Sequence, residues 1–184
     1  MMIFLGIDLA ASPKRPTGFC ILKELECITG IVKTDEEILN LANINPKIIA
    51  IDSPLSFSLN NKPFRICDLE ARRKGFFVLP LNIISMKKLT IRGIKLKKEF
   101  NKMGFQVIEV FPTGAFLALN IIPPKKDIKK AIKGLRELGL IFSNEKTIHE
   151  LDAMISAYVA YKYYKGEVEV LGNNEEGTII IPKK

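Results

Sequence analysis

A chain of 184 residues with 47% hydrophobic side chains has apolar surface enough for a buried core, which excludes a disordered chain, and its length is that of one domain spanning residues 1–184. No run reaches the roughly 18 uninterrupted apolar residues of a membrane span, and Asp8 interrupts the N-terminal apolar stretch where a secretory signal needs its h-region. The net charge of +8 points toward polyanionic partners, and three cysteines without C-x-x-C spacing (Cys20, Cys27, Cys67) argue for reduced thiols in a cytoplasmic protein rather than a zinc or disulfide framework.

Met2 to Asp8 reads as a first strand, its near-continuous apolar run matching burial on both faces. Thr17–Lys23 and Cys27–Lys33 are β-prone runs that complete an antiparallel meander. Thr34-Asp35-Glu36-Glu37 has the form of a capping box, so Glu37 opens a helix that should end near Asn45-Pro46. Lys47–Ser53 is a fourth strand, stopped by Pro54, which has no N–H for the ladder. Within Asn60–Pro80, RICDLEARRKG suggests a helix and FFVLPLN a loop. Met86–Met103 predicts a basic amphipathic helix with Leu89, Ile91, Ile94, Leu96 and Phe100 on its apolar side, ending at Gly104. Gln106–Phe111 is a fifth strand stopped by Pro112, with a helical turn at Thr113-Gly114-Ala115. Asp127–Leu138 is a second basic helix, and Ile148–Lys165 a long final one. Val168–Leu171 and Thr178–Ile181 close the chain as a small β-pair. The expected fold is α/β: a five-stranded mixed sheet of meander plus two parallel strands, flanked by helices, with that pair appended.

The charge is unevenly placed. Lys62 to Lys102 carries twelve Lys/Arg against Asp68, Glu70 and Glu99, and Lys125 to Arg136 adds six more cations. Such clusters suit a nucleic-acid backbone, with Arg65, Arg72, Arg73, Lys87, Lys88 and Arg92 as the side chains that would grip phosphate. The bland alternative of a solvated helical face applies to most of the run.

Three strands end in acids. Asp8 closes the first, Asp52 the fourth and Glu109 lies near the end of the fifth, while His149 and Asp152, three residues apart on the final helix, share a stripe with Ala153, Ser156 and Ala160. If the first strand neighbours the fourth, these acids gather at the carboxyl edge of the sheet, where open α/β folds bind ligands. Clustered carboxylates repel, and a divalent cation removes the conflict. Oxygen donors with one histidine favour Mg²⁺ or Mn²⁺, held by Asp8, Asp52, Asp152 and Glu109, for phosphodiester hydrolysis in which His149 also takes part. Each residue has a plainer role available: an Asx turn at Asp52, the opposite sheet face for Glu109, a hydrogen-bonded surface position for His149.

The order of meander, helix, acid-bearing strands and acid-bearing final helix resembles the ribonuclease H-like fold. Within it, GIDLA, IAIDSP, EVFPTGAF and HELDA resemble the family called domain of unknown function four-two-nine, whose members have been proposed to be nucleases. By that resemblance Asp8 matches the strand-one aspartate, Asp52 the strand-four acid and Asp152 the acid of the last helix, and His149-x-x-Asp152 is similar to the ending of some Holliday-junction resolvases. The chain departs from the ribonuclease H enzymes in lacking their glutamate on the helix after strand three, where Glu36 and Glu37 are explained by capping. The resemblance implies a metal-dependent nuclease acting on DNA or RNA, away from membranes and compatible with a homodimer. Two other readings stand beside it: a nucleic-acid-binding protein without catalysis, and an actin- or sugar-kinase-like domain, because GIDLAAS followed by Thr17-Gly18 is similar to a phosphate-binding hairpin.

Overall fold

The computed structural model describes residues 2–143 and 145–184. Strands β1 (Ile3–Asp8), β2 (Thr17–Lys23) and β3 (Glu26–Val32) form the antiparallel meander. On its other edge β1 pairs in parallel with β4 (Ile48–Asp52), and β4 with β5 (Val107–Val110). The expected neighbourhood of strands one and four is therefore present.

The sheet has seven strands, not five, in the order β3-β2-β1-β4-β5-β7-β6. β6 (Val168–Asn173) and β7 (Gly177–Pro182) pair antiparallel, and β7 joins β5 through Val110 and Ile180 instead of standing apart. The run Ile179-Ile180-Ile181 gives the reason. All three are buried, Ile180 against one layer of core and its neighbours against another, and a free two-stranded ribbon cannot cover both faces.

Helices cover both faces. Phe4, Ile48, Ala50, Ile108 and Val110 point to the layer that holds α4 (Pro112–Ala118), α5 (Ile128–Glu137) and α6 (Ile148–Tyr164). The alternate residues Leu5, Ile7, Ile49 and Ile51 pack on α1 (Asp35–Asn40) and α3 (Ile84–Lys102). A third, smaller cluster sets α2 (Ile66–Arg73) against β6 and β7. Residues 151–160 of α6 are buried all round, because the helix lies between the sheet and α4 and α5.

Local signals act as their chemistry dictates. Thr34 and Glu37 form the reciprocal capping box, after which α1 gives way to a 3₁₀ turn at Leu41–Ile44, earlier than the residue pattern suggests. Gly104 ends α3 with φ of 91°, a conformation L side chains rarely adopt. One expectation about α3 fails: Ile91 is 60% exposed and Arg92 is buried in its stead. Arg92 donates to Asp35 Oδ1 at 2.8 Å and to the carbonyls of Ala10 and Lys33 at 2.6 Å, partners from two remote stretches of chain that make burial of a cation tolerable.

Candidate active site

Asp8 and Asp52 stand opposite each other at the carboxyl ends of β1 and β4. Both belong to the set of alternate positions that faces α6. Two glycines let α6 come close. A Cβ on Gly6 would lie 2.1 Å from the Ala153 carbonyl oxygen, and one on Gly18 would lie 2.2 Å from that of His149. This approach brings the first turns of α6, with His149 and Asp152, over the strand ends. His149 Nδ1 lies 2.6 Å from Asp8 Oδ2, and Asp152 is only 3% exposed.

Electrostatics tie the three aspartates together. Removal from water, then the charges of Asp8 and Asp152, raise the Asp52 carboxyl well above its ordinary range, with a hydrogen bond to Asp8 acting in the same direction. Asp152 is pushed up to about 7, first by burial and then by the charge on Asp8. Lys125 relieves part of this: its Nζ lies 3.9 Å from Asp152 Oδ2, and its charge lowers both Asp52 and Asp152. Lys125 entered the sequence reading only as one member of a basic run. The sole local hint is the pair Pro123-Pro124 before it, both buried, which stiffens the chain that presents it.

Among the described residues, no three His, Cys, Asp or Glu side chains are gathered closely enough to hold a metal ion as they stand. Asp8 engages His149 at 2.6 Å and bonds to Asp52. The donors are all hard oxygens, so their chemistry fits Mg²⁺ or Mn²⁺, while their arrangement offers neighbouring pairs and no closed cage.

Glu109 is not part of this group. It is one residue out of phase with Ile108 and Val110, so the strand period turns it to the opposite face. There it accepts two hydrogen bonds from Arg65, at 2.6 and 2.8 Å, and one from the Leu55 amide at 2.7 Å. Arg65 is likewise withdrawn from any phosphate. It is 1% exposed, and its five N–H donors are all engaged by Asp68, Glu109 and Ser56. Burial opposes its charge, but Glu109 and Asp68 more than compensate and hold the guanidinium protonated. Arg92, buried against Asp35, leaves the list of phosphate-gripping side chains for the same reason.

Arg72, Arg73, Lys87 and Lys88 are exposed as the basic-face reading expects, though Arg72 is partly engaged by the Val78 carbonyl at 2.9 Å and the ring of Phe64. Thr17 is buried and its hydroxyl accepts from the Ala10 amide at 3.1 Å, while Gly18 packs on α6. Thr17 and Gly18 of the hairpin likened to a phosphate cradle are thus engaged internally.

Two solved structures share this fold. The structure described as T. thermophilus RuvC in complex with Holliday junction substrate aligns with a TM-score of 0.56 at 16% identity, over 90% of this chain and 97% of that one. The Thermus thermophilus RuvC structure aligns with a TM-score of 0.55 at 15% identity and the same coverage. Likeness at this identity shows a shared α/β fold and nothing finer. No protein-family model and no curated protein matches the chain.

Proposed function

We propose that the protein is a divalent-metal-dependent nuclease that hydrolyses phosphodiester bonds in DNA or RNA. The observation that carries this reading is the meeting of Asp8, Asp52 and Asp152 at one end of the sheet, close enough that the charge of Asp8 raises the carboxyls of both Asp52 and Asp152 beside a lysine. Asp8, Asp52 and Asp152 would hold Mg²⁺ or Mn²⁺. Such an ion, when bound, activates water and steadies the leaving oxygen of a phosphodiester. His149, hydrogen-bonded through Nδ1, orients the Asp8 carboxylate. Lys125 supplies a positive charge toward the phosphate, and exposed Arg73, Lys87 and Lys88 hold the flanking backbone. Glu109 acts through position: by binding the Leu55 amide it holds the loop that follows Asp52.

The RuvC neighbours support nucleic acid as the substrate class, since one of them is in complex with a Holliday junction. Membership of the four-two-nine family, carried by GIDLA, IAIDSP, EVFPTGAF and HELDA, belongs to the same proposal, as do a single domain, a cytoplasmic site of action and a homodimer. The decisive experiment is cleavage of single-stranded, duplex, hybrid and branched substrates with Mg²⁺ or Mn²⁺. Asp8→Asn and Asp152→Asn should each lower turnover by roughly a thousandfold. Turnover at the wild-type rate in both variants would remove these residues, and the reading, from consideration.

A further inference from the structure

Beside Asp52 lies a cavity of about 350 Å³ that the nuclease reading leaves unused. The irregular segment 75–82 between α2 and α3 contributes Phe77, Val78, Leu79 and Leu81 to its lining, which also includes the buried Arg65–Asp68–Glu109 cluster and, from the acid site, Asp52 and Lys125. The segment is anchored. Val78 and Phe76 pack on the Cys67 and Ala71 core, Arg72 donates to the Val78 carbonyl, and the Leu81 amide donates to Pro63 at 2.7 Å. Phe77 nonetheless stays 75% exposed, because chain alternation that turns Phe76 and Val78 inward turns it outward, and Leu79, Ile83 and Ile84 are exposed nearby in sequence. An exposed aromatic ring that also lines a cavity offers a face on which a flat group can stack.

The chemistry of that partner is bounded on each side. The apolar side chains of Phe77, Val78, Leu79, Leu81 and Leu89 disfavour a sugar-phosphate backbone, the Arg65–Asp68–Glu109 cluster adds a polar side, the volume is at the small end of ligand pockets, and Asp52 and Lys125 belong both to the cavity and to the acid cluster. A flat heteroaromatic ring with a polar edge, covalently continuous with a phosphate at the acids, suits both sides of this lining. Resting on the nuclease reading above, we propose that the cavity receives one unpaired nucleobase of the strand held at Asp8, Asp52 and Asp152, stacked on Phe77. Stacking on an aromatic ring tolerates any base, and a base that is already unpaired is extruded at least cost. The site therefore favours substrates with a single-stranded, bulged or branched element over uniform duplex.

The test is a double-mutant cycle on binding, read by fluorescence anisotropy with uncleavable phosphorothioate single strands that carry one abasic position at successive places. For the wild-type protein one position should weaken binding by roughly five- to a hundredfold. Phe77→Ala, at an exposed site that folding tolerates, should lose the same factor on the intact strand and become indifferent to the abasic position, and Phe77→Trp should restore both. A flat abasic scan, or additive losses from the missing base and the missing ring, overturns the pocket while leaving the nuclease reading intact. Absence of any binding or cleavage by the wild-type protein overturns the nuclease reading itself.

Discussion

Two groups of carboxylates, gathered on opposite faces of the sheet around Asp52 of β4 and Glu109 of β5, differ in the partners they find. Glu109 and Asp68 surround a guanidinium that pairs with both; burial still holds the Glu109 carboxyl above its ordinary range, and the charge of Arg65 acts against that rise. Asp52 and Asp152 have only a lysine at the margin and remain raised. A carboxyl at about 7 in the folded protein and near 3.8 in the unfolded chain keeps its proton longer when folded. Stability from this source is full at low pH and falls as pH rises between those two values, by up to about 4 kcal/mol, and Asp52 adds in the same sense. In chelator the melting temperature should thus be higher at about pH 5 than at about pH 8, and Asp152→Asn should flatten the slope. Mg²⁺ at the higher pH should recover most of the loss. A melting temperature that climbs over this interval in chelator would contradict the account.

At the scale of elements, the site depends on how closely α6 approaches β1 and β2. Gly6 is the residue that permits it, since a Cβ there meets backbone, the Ala153 oxygen and the Ala157 nitrogen at 2.4 Å, with no flexible side chain to yield. Gly6→Ala should cost about 1–3 kcal/mol by overpacking and should also weaken divalent-ion binding, because α6 carries Asp152 away with it. Calorimetry with and without Mn²⁺ separates these effects: unchanged ion affinity would show that the acids do not depend on that contact. The start of α6 is secured independently by the capping box of Thr147 and Glu150. Much at this scale is legible in the residues. The box at Thr34, the breaks at Pro54 and Pro112, and the glycine stops follow from contacts within a few positions, and strand parity alone separates Glu109 from Asp8 and Asp52 once Ile108 and Val110 are known to face α6. What local pattern misplaces is Ile91 and Arg92 on α3, because the partners that bury Arg92 lie 57 to 82 residues away.

For the whole molecule, the net charge of +8 is the property a polyanion would feel first. Several of the cations are neutralised, Lys95 by Asp35, Lys74 by Glu169 and Arg65 by its two acids, so fewer meet phosphate than the raw count suggests. Binding to a single strand should still fall by roughly a hundredfold between about 50 and 200 mM salt. A shallow slope would assign the exposed lysines to solvation alone. The same global scale decides the sheet, because β7 reaches β5 only after α6 has crossed the intervening layer, and no local signal in GTIIIP names its partner strand.

By itself the sequence determined most of the elements, the capping box at Thr34 and the proline and glycine stops, because those depend on backbone sterics and on side chains no more than a few positions apart. Only the tertiary structure decided which charges meet. His149 finds Asp8 across 141 positions, Glu109 finds Arg65 across 44, and Lys125 reaches Asp152 from a loop with no pattern of its own. The physical reason is that Coulomb and hydrogen-bond partners are selected by distance in space, and distance between remote segments exists only once hydrophobic burial has packed the helices onto the sheet.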